Sequence, residues 1–213
     1  MGAGESGVGA ARLAKLKGYS VLVSDMNSIK DEYKKELAQH DIQFEEGGHS
    51  SELIQAELII KSPGIPDNAE AVLKAKNAGI SIISEIEFAA RFTKACLIGI
   101  TGTNGKTTTA MLTYHLLKEG GLQVGLAGNV GDSFARQVAT KDQDYYVLEL
   151  SSFQLDGMFD TRLDYAVLLN ISPDHLDRYE SFEDYIQSKF RIAQNQSKEQ
   201  KFIKIFFKFL NKI

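Results

Sequence analysis

The sequence contains no tryptophan, three prolines and a single cysteine among 213 residues. One cysteine excludes an internal disulfide, so a packed core must carry stability. Cys96 lies in an apolar stretch, where packing rather than reactivity is its expected role. No uninterrupted apolar run approaches the ~18 residues that a bilayer-spanning helix needs. Basic residues are not in excess: 24 Lys and Arg stand against 28 Asp and Glu, for a formal charge of −4. That balance gives no general reason to expect nucleic-acid binding. No signal-peptide pattern opens the chain, so the cytoplasm is the expected location and a monomer the expected state. A hydrophobic fraction of 43% and a charged fraction of 24% are ordinary for a globular protein with one large or two small domains.

What is present alternates. To about Phe92, periodicity and turn residues predict helices over 9–16, 31–39 and 68–77 and strands over 20–25, 58–60 and 80–83. Beyond Thr93, strands are expected at 95–100, 123–126, 145–150 and 165–170, with helices at 106–119 and 182–193. Such β-α repetition implies a parallel sheet with helices on its faces.

The most informative segment is Ile98-Gly99-Ile100-Thr101-Gly102-Thr103-Asn104-Gly105-Lys106-Thr107-Thr108. A buried strand runs into a glycine-bearing turn, and Lys-Thr-Thr then opens a helix. Backbone N–H groups of such a turn close around phosphate oxygens, the helix N-terminus adds positive potential, the lysine adds a point charge, and the following hydroxyl can hold Mg²⁺. The strict P-loop pattern asks for a glycine where this chain has Ile100; Gly102 takes over as the flexible residue. A nucleoside triphosphate is the expected ligand, ATP with Mg²⁺, bound by Gly102, Thr103, Asn104, Gly105, Lys106, Thr107 and Thr108.

Three further strand ends should share that edge. Gly128-Asn129-Val130-Gly131 follows one, Glu149 with Ser151-Ser152 closes the next, and Asn170, Asp174, His175 and Asp177 follow the third. A carboxylate at the end of an apolar strand must be matched, and a bound cation is an economical match. Near the start, Gly2-x-Gly4-x-x-Gly7 has dinucleotide-fingerprint spacing, and Asp25 falls roughly 20 residues on, where such folds bind a ribose hydroxyl. Ser62-Pro63-Gly64-Ile65-Pro66 is a rigid turn at the carboxyl end of a strand.

Together these strings resemble the Mur ligases of peptidoglycan synthesis. Leu148-Glu149-Leu150-Ser151-Ser152-Phe153-Gln154-Leu155 resembles the D-glutamate-adding members most closely. Asn170-Ile171-Ser172-Pro173-Asp174-His175-Leu176-Asp177-Arg178-Tyr179, the phosphate-loop string, the Gly128 turn and the Ser62 turn support the match. The resemblance implies an α/β fold: a Rossmann-like amino-terminal domain at 1–92 for the UDP-sugar, then an incomplete P-loop-type central ATPase domain at 93–197. It implies UDP-N-acetylmuramoyl-L-alanine and D-glutamate as substrates, with Gly4, Ser6, Asp25, Gly64, Asn129 and Ser151 toward the sugar nucleotide. It implies Lys106, His175 and Lys189 as catalytic groups. Thr107, Glu149, His175 and Lys189 (as a carbamate) would serve the metal. Another Mur-type or folylpolyglutamate-type ligase, or a non-catalytic UDP-sugar-binding module, stays open beside it.

Both ends break the pattern. A strand is expected before the first glycine turn, and the family's carboxy-terminal domain has no counterpart here, so an inactive and poorly stable chain is expected. Residues 198–213 are set apart as an aberrant tail, because KFIKIFFKFLNKI uses only residues with codons of A and T. An out-of-frame reading is preferred there over an amphipathic surface helix with Phe202, Phe206, Phe209 and Ile213 on one face.

Overall fold

The computed structural model describes residues 1–174 and 178–205; His175, Asp177 and the end of the tail from 206 lie outside the described residues. The fold is α/β, and every strand pair among the described residues is parallel. The first half supplies two two-stranded ribbons. Strand β1 (Leu22–Asp25) pairs with β2 (Gln43–Glu46), and β3 (Leu58–Lys61) with β4 (Ser81–Ser84). Residues 1–3 lie between β1 and β3. Gly2 donates its N–H to Ser24 O, the Met1 amine donates to Ile60 O, and Ser62 N–H donates to Met1 O. Helices α1 (Glu5–Leu16), α2 (Asp31–Gln39), α3 (Glu70–Asn77) and α4 (Glu85–Ala90) connect these strands.

The second half is a five-stranded sheet ordered β6-β7-β5-β8-β9, with β5 at Cys96–Thr101, β6 at Val124–Gly128, β7 at Tyr145–Glu149, β8 at Tyr165–Leu168 and β9 at Lys201–Lys204. Its helices are α5 (Lys106–Glu119), α6 (Phe134–Thr140), α7 (Ser152–Asp156) and α8 (Phe182–Phe190). The connection from β5 to β6 runs one way along the sheet, and those from β6 to β7, β7 to β8 and β8 to β9 run the other. Right-handed crossovers therefore put α5 on one face and the later helices on the opposite one. Under α5, Ala110, Tyr114 and Leu117 pack on Ile98, Ile100, Val147 and Val167. On the other face, Leu97, Tyr146, Leu148 and Ala166 meet Phe134 and Val138 of α6 and Leu155 of α7.

That second cluster also contains Leu13 and Ala14 of α1 and Ile86, Phe88 and Ala89 of α4. One apolar core thus runs across the boundary expected at residue 92. Polar clasps close it. Arg136 of α6 binds Glu5 of α1 (Nε to Oε1, 2.8 Å) and Glu36 of α2, which also takes Arg12 at 3.2 Å. Glu85, buried at the start of α4, accepts from Ser133 Oγ (2.7 Å) and Ala135 N (2.6 Å).

Several expectations need correction. The first helix begins at Glu5, four residues before Gly9, because Gly4 already serves as its N-cap. Strand β2 and helices α4, α6 and α7 carry too few residues for a periodicity to stand out. At the start of the tail, where no element was expected, Lys201–Lys204 forms β9 in register with β8 (Tyr165↔Lys201 to Leu168↔Lys204). Phe202 tucks against the core while Ile203 stays exposed, which is the period of a strand.

Candidate functional site

The strand β5 ends at Thr101, and the turn that follows is held in shape before any ligand arrives. Gly105 caps α5 in the left-handed region (φ 82°), a conformation costly for a side-chain-bearing residue. Asn170, just past β8, grips Asn104 from both sides: its Oδ1 accepts from Asn104 N and its Nδ2 donates to Asn104 O, each at 2.9 Å. Thr103 N donates to Asn170 O at 3.0 Å. The Thr103 hydroxyl meets Ser172 O at 3.1 Å, Ser172 N at 3.0 Å and the Tyr185 hydroxyl at 3.2 Å. Lys106 Nζ folds back onto Thr103 O at 2.9 Å, a weak tether from which it can swing to a phosphate. Thr107 and Thr108 lie exposed on the first turn of α5, with the free N–H groups of that turn beside them.

Next to this loop stands Glu149. It is the last residue of β7, in register with Ile100, and only 1% exposed. Its Oε1 accepts from Asn129 Nδ2 at 2.9 Å, while Oε2 is buried without a partner. A desolvated, half-paired carboxylate is costly unless something else compensates it. Among the described residues no group of three or more His, Cys, Asp or Glu side chains gathers to hold a metal. A cation here would therefore take Glu149, the neighbouring hydroxyl and the oxygens of water and phosphate, which is how Mg²⁺ is ordinarily held beside a nucleotide. The residues present fit that ion.

Topology explains the convergence. The chain leaves β5 toward the α5 face, whereas it leaves β7 toward the opposite face. Adjacent strands whose connections diverge open a crevice at their carboxyl ends, the usual ligand position in a parallel α/β sheet. Gly128, which ends β6, keeps the crevice tight. Its φ is 102°, and a Cβ there would sit 2.2 Å from Glu149 O.

Lys189 of α8 is 2% exposed and rests its ammonium 4.7 Å from the centre of the Tyr185 ring. Burial and the nearby Lys106 charge pull its pKa down to about 8. Lys106 and Lys189 thus share one electrostatic environment although 83 positions separate them in the sequence. Ser151 caps α7: its hydroxyl accepts from Gln154 N at 3.3 Å, and Gln154 Oε1 returns to Ser151 N at 3.0 Å.

The amino-terminal residues gather at a second point. Asp25, at the end of β1, accepts from Ala3 N (2.7 Å) and Asn27 N (2.9 Å) and so pins the glycine turn. Ser6 on the first turn of α1 faces Ser62 across 3.4 Å, Gly4 is exposed beside it, and the turn carrying exposed Gly64 follows. Lys61 shapes that turn by donating to Ile65 O at 2.7 Å and pairing with Asp67 at 3.4 Å.

Apart from His175, which lies outside the described residues, the expected residues thus fall into two clusters, both at carboxyl ends of parallel strands. Sequence reasoning left out Tyr185, and it named Asn170 on this edge without its clamp on Asn104. Asn170 was visible as a strand-end polar residue; Tyr185 carried no local signal.

Comparison with known proteins places both halves of the chain in one family. The profile of the Mur ligase middle domain matches residues 100–208, reaching into the segment that composition set apart. The profile of the MurD N-terminal domain matches residues 1–71. UDP-N-acetylmuramoylalanine--D-glutamate ligase of Bacteroides fragilis is 58% identical over 205 residues, covering 95% of this chain and 46% of that protein. The enzyme of the same name from Chlorobaculum parvum is 45% identical over 202 residues, 92% of this chain and 43% of its own. The chain therefore spans about half the length of the curated relatives it matches. Among solved structures, the Neisseria meningitides UDP-N-acetylmuramate:L-alanyl-gamma-D-glutamyl-meso-diaminopimelate ligase aligns with a TM-score of 0.61 at 22% identity, over 92% of this chain and 67% of its own. The murein peptide ligase of Psychrobacter arcticus gives 0.58 at 22%, over 95% and 47%. At that identity the structures speak for the fold alone, whereas the middle-domain profile covers half of the sequence: the chain belongs to the Mur ligase family.

Proposed function

We propose that the chain supplies the sugar-nucleotide and ATP sites of an ATP-dependent amide ligase that adds D-glutamate to UDP-N-acetylmuramoyl-L-alanine in the cytoplasmic synthesis of peptidoglycan precursors, and is inactive by itself. The observation that carries this reading is the unpaired, buried Glu149 oxygen standing in register beside the strand that feeds the phosphate loop. Residues 93–197 would take ATP, with Lys106 turning from Thr103 O to the β- and γ-phosphates. The amide groups from Gly102 to Thr108 would line the phosphates. Glu149 and Thr107 would hold Mg²⁺, which supplies charge neutralisation on the transferring phosphoryl group. Residues 1–92 would hold the UDP moiety, with Ser6 and the glycine turn at the diphosphate and Asp25 and Gly64 toward the nucleoside. Asn129 and Ser151 would face the acceptor end.

In this reading the L-alanyl carboxylate attacks the γ-phosphorus and ADP leaves, giving an acyl phosphate. The D-glutamate amine then attacks the acyl carbon, phosphate leaves, and the amine proton is lost to water or a base. Lys106 stabilises charge that spreads over the phosphoryl oxygens as the bond breaks. Lys189, whose burial favours the neutral amine, would add to CO₂ with loss of a proton and become an anionic carbamate. That oxygen donor, and His175, would complete the metal site.

Calorimetry of the 213-residue chain tests the reading directly. ATP with Mg²⁺ and UDP-N-acetylmuramoyl-L-alanine should bind at separate sites, and NAD should not compete with the sugar nucleotide. Binding of NAD in preference to the sugar nucleotide would favour a dehydrogenase-like first domain and refute the proposal for that half.

A further inference from the structure

We propose that Tyr185 is a positioning residue that ties the phosphate loop to helix α8, its hydroxyl holding Thr103 while its ring carries Lys189. The inference rests on the nucleotide-binding reading of the loop and extends it to a residue that touches no phosphate.

Tyr185 is 1% exposed and among the largest fully buried side chains. A phenol placed there needs a partner for its hydroxyl. It faces Thr103 Oγ1 at 3.2 Å. Thr103 has one proton to give, and Ser172 O lies 3.1 Å away to receive it, while Ser172 N–H points at the same oxygen from 3.0 Å. Either hydroxyl can donate in the contact between Tyr185 and Thr103. The loop residue is therefore fixed by main chain from the segment after β8 and by a side chain from α8. Thr103 O, on the same residue, is the atom that parks Lys106 at 2.9 Å.

The ring does a second job. Its face lies 4.7 Å from Lys189 Nζ, and Tyr179 packs edge-on against it with centroids 5.5 Å apart. Tyr179 is itself anchored, its hydroxyl donating to Asp156 Oδ2 at 2.7 Å. Packing against Tyr179 and Phe182 holds the ring in place with its hydroxyl at the loop. Tyr185 thus touches Thr103 through its hydroxyl and Lys189 through its ring. Movement of α8 is consequently passed to the loop that would hold the triphosphate.

Tyr185→Phe removes the hydroxyl and keeps the ring packing. Affinity of the chain for a fluorescent ADP analogue with Mg²⁺ should fall about two- to ten-fold, the range of one net hydrogen bond, with little change in melting temperature. Thr103→Val should weaken binding at least as much, and Thr103→Ser should retain it. The double variant Tyr185→Phe/Thr103→Val should bind no worse than Thr103→Val alone, because both changes delete the same bond. Without nucleotide, amide exchange of the peptide covering 101–106 should quicken in Tyr185→Phe while β5 and β7 stay protected. Unchanged affinity and loop exchange in Tyr185→Phe, or additive effects in the double variant, overturn the inference and leave the nucleotide reading standing. Failure of the unaltered chain to bind the analogue overturns that reading, and this inference with it.

Discussion

Replacing Glu87 by Gln tests whether the molecule is joined as described. Glu87 sits on α4 with its side chain 1% exposed. It accepts from Phe159 N (3.1 Å), Asp160 N (3.2 Å), Thr161 N (3.0 Å) and Thr161 Oγ1 (2.5 Å), and Arg91 approaches at 3.4 Å. One carboxylate from the first half thus holds the segment that leads from α7 to β8. Burial by itself would raise its pKa, but the Thr161 hydroxyl and the three backbone donors outweigh that and hold it below the usual carboxylate range. A glutamine keeps the shape but turns an NH₂ toward backbone N–H groups, leaving at least one donor unpaired. Hydrogen bonds to a charged group contribute about 1.5–3 kcal/mol, and an orphaned buried donor costs about 1–3 kcal/mol. A loss of about 2–4 kcal/mol is expected, or about 5–15 °C in melting temperature for a chain of this size. The folded-state pKa lies below the unfolded one, so this stabilisation is complete above the unfolded value and is lost as pH falls through the folded value. The gap between the two proteins, measured by thermal melts followed by circular dichroism, should be full at pH 7 and close as pH falls through the lowered folded-state value. A variant melting within about 2 °C of the parent at pH 7 would refute the claim that the segment hangs on this carboxylate.

Three other outcomes follow from the geometry. Lys106→Met should cut ATP affinity by roughly ten-fold or more, the scale of one charge-assisted hydrogen bond, with little change in the melt, since among the described residues its one hydrogen bond is to Thr103 O; calorimetry decides. Gly128→Ala puts a Cβ 2.2 Å from Glu149 O at a left-handed φ, so it should cost about 2 kcal/mol or more and abolish the Mg²⁺ dependence of nucleotide binding by displacing Glu149. Glu85, pushed up to about 7 chiefly by burial, binds its proton more tightly in the folded state than in the unfolded one. The parent should therefore lose stability as pH rises from about 4.5 to about 7, and in Glu85→Gln that slope should flatten when urea melts are compared across the range.

What could be read from the sequence follows from how each signal is encoded. The phosphate loop was legible because strand, glycine turn, lysine and helix are contiguous, and helix α5 begins and ends where the pattern places it, Lys106–Glu119. Helix α2 was equally plain. Helix α7 was signalled by Ser151 and Gln154, a capping box three residues apart, but a five-residue helix has too little periodicity to stand out beside it. Strand β2 is polar and mostly exposed, so no alternation marks it. The ionic clasps could not have been read at all: Glu5 and Arg136 lie 131 positions apart, and neither has a local motif.

Those clasps bear on how the two clusters work together. Glu5 shares the first turn of α1 with Ser6, so Arg136 fixes the glycine turn relative to α6. Helix α6 follows the Gly128 turn and precedes β7, which ends at Glu149. Ser133, its N-cap, and Ala135 are pinned again by Glu85 from α4. The turn that would hold a diphosphate and the carboxylate that would hold the metal are therefore linked through one short helix with contacts to α1, α2 and α4. A flexible hinge between the halves would leave the distance between their ligands undefined. A shared apolar core, the partly buried Arg136 pairs and the buried Glu85 contacts define it, so the length of a ligand spanning the gap would be selected by the packing of α6 rather than by the residues that touch the ligand.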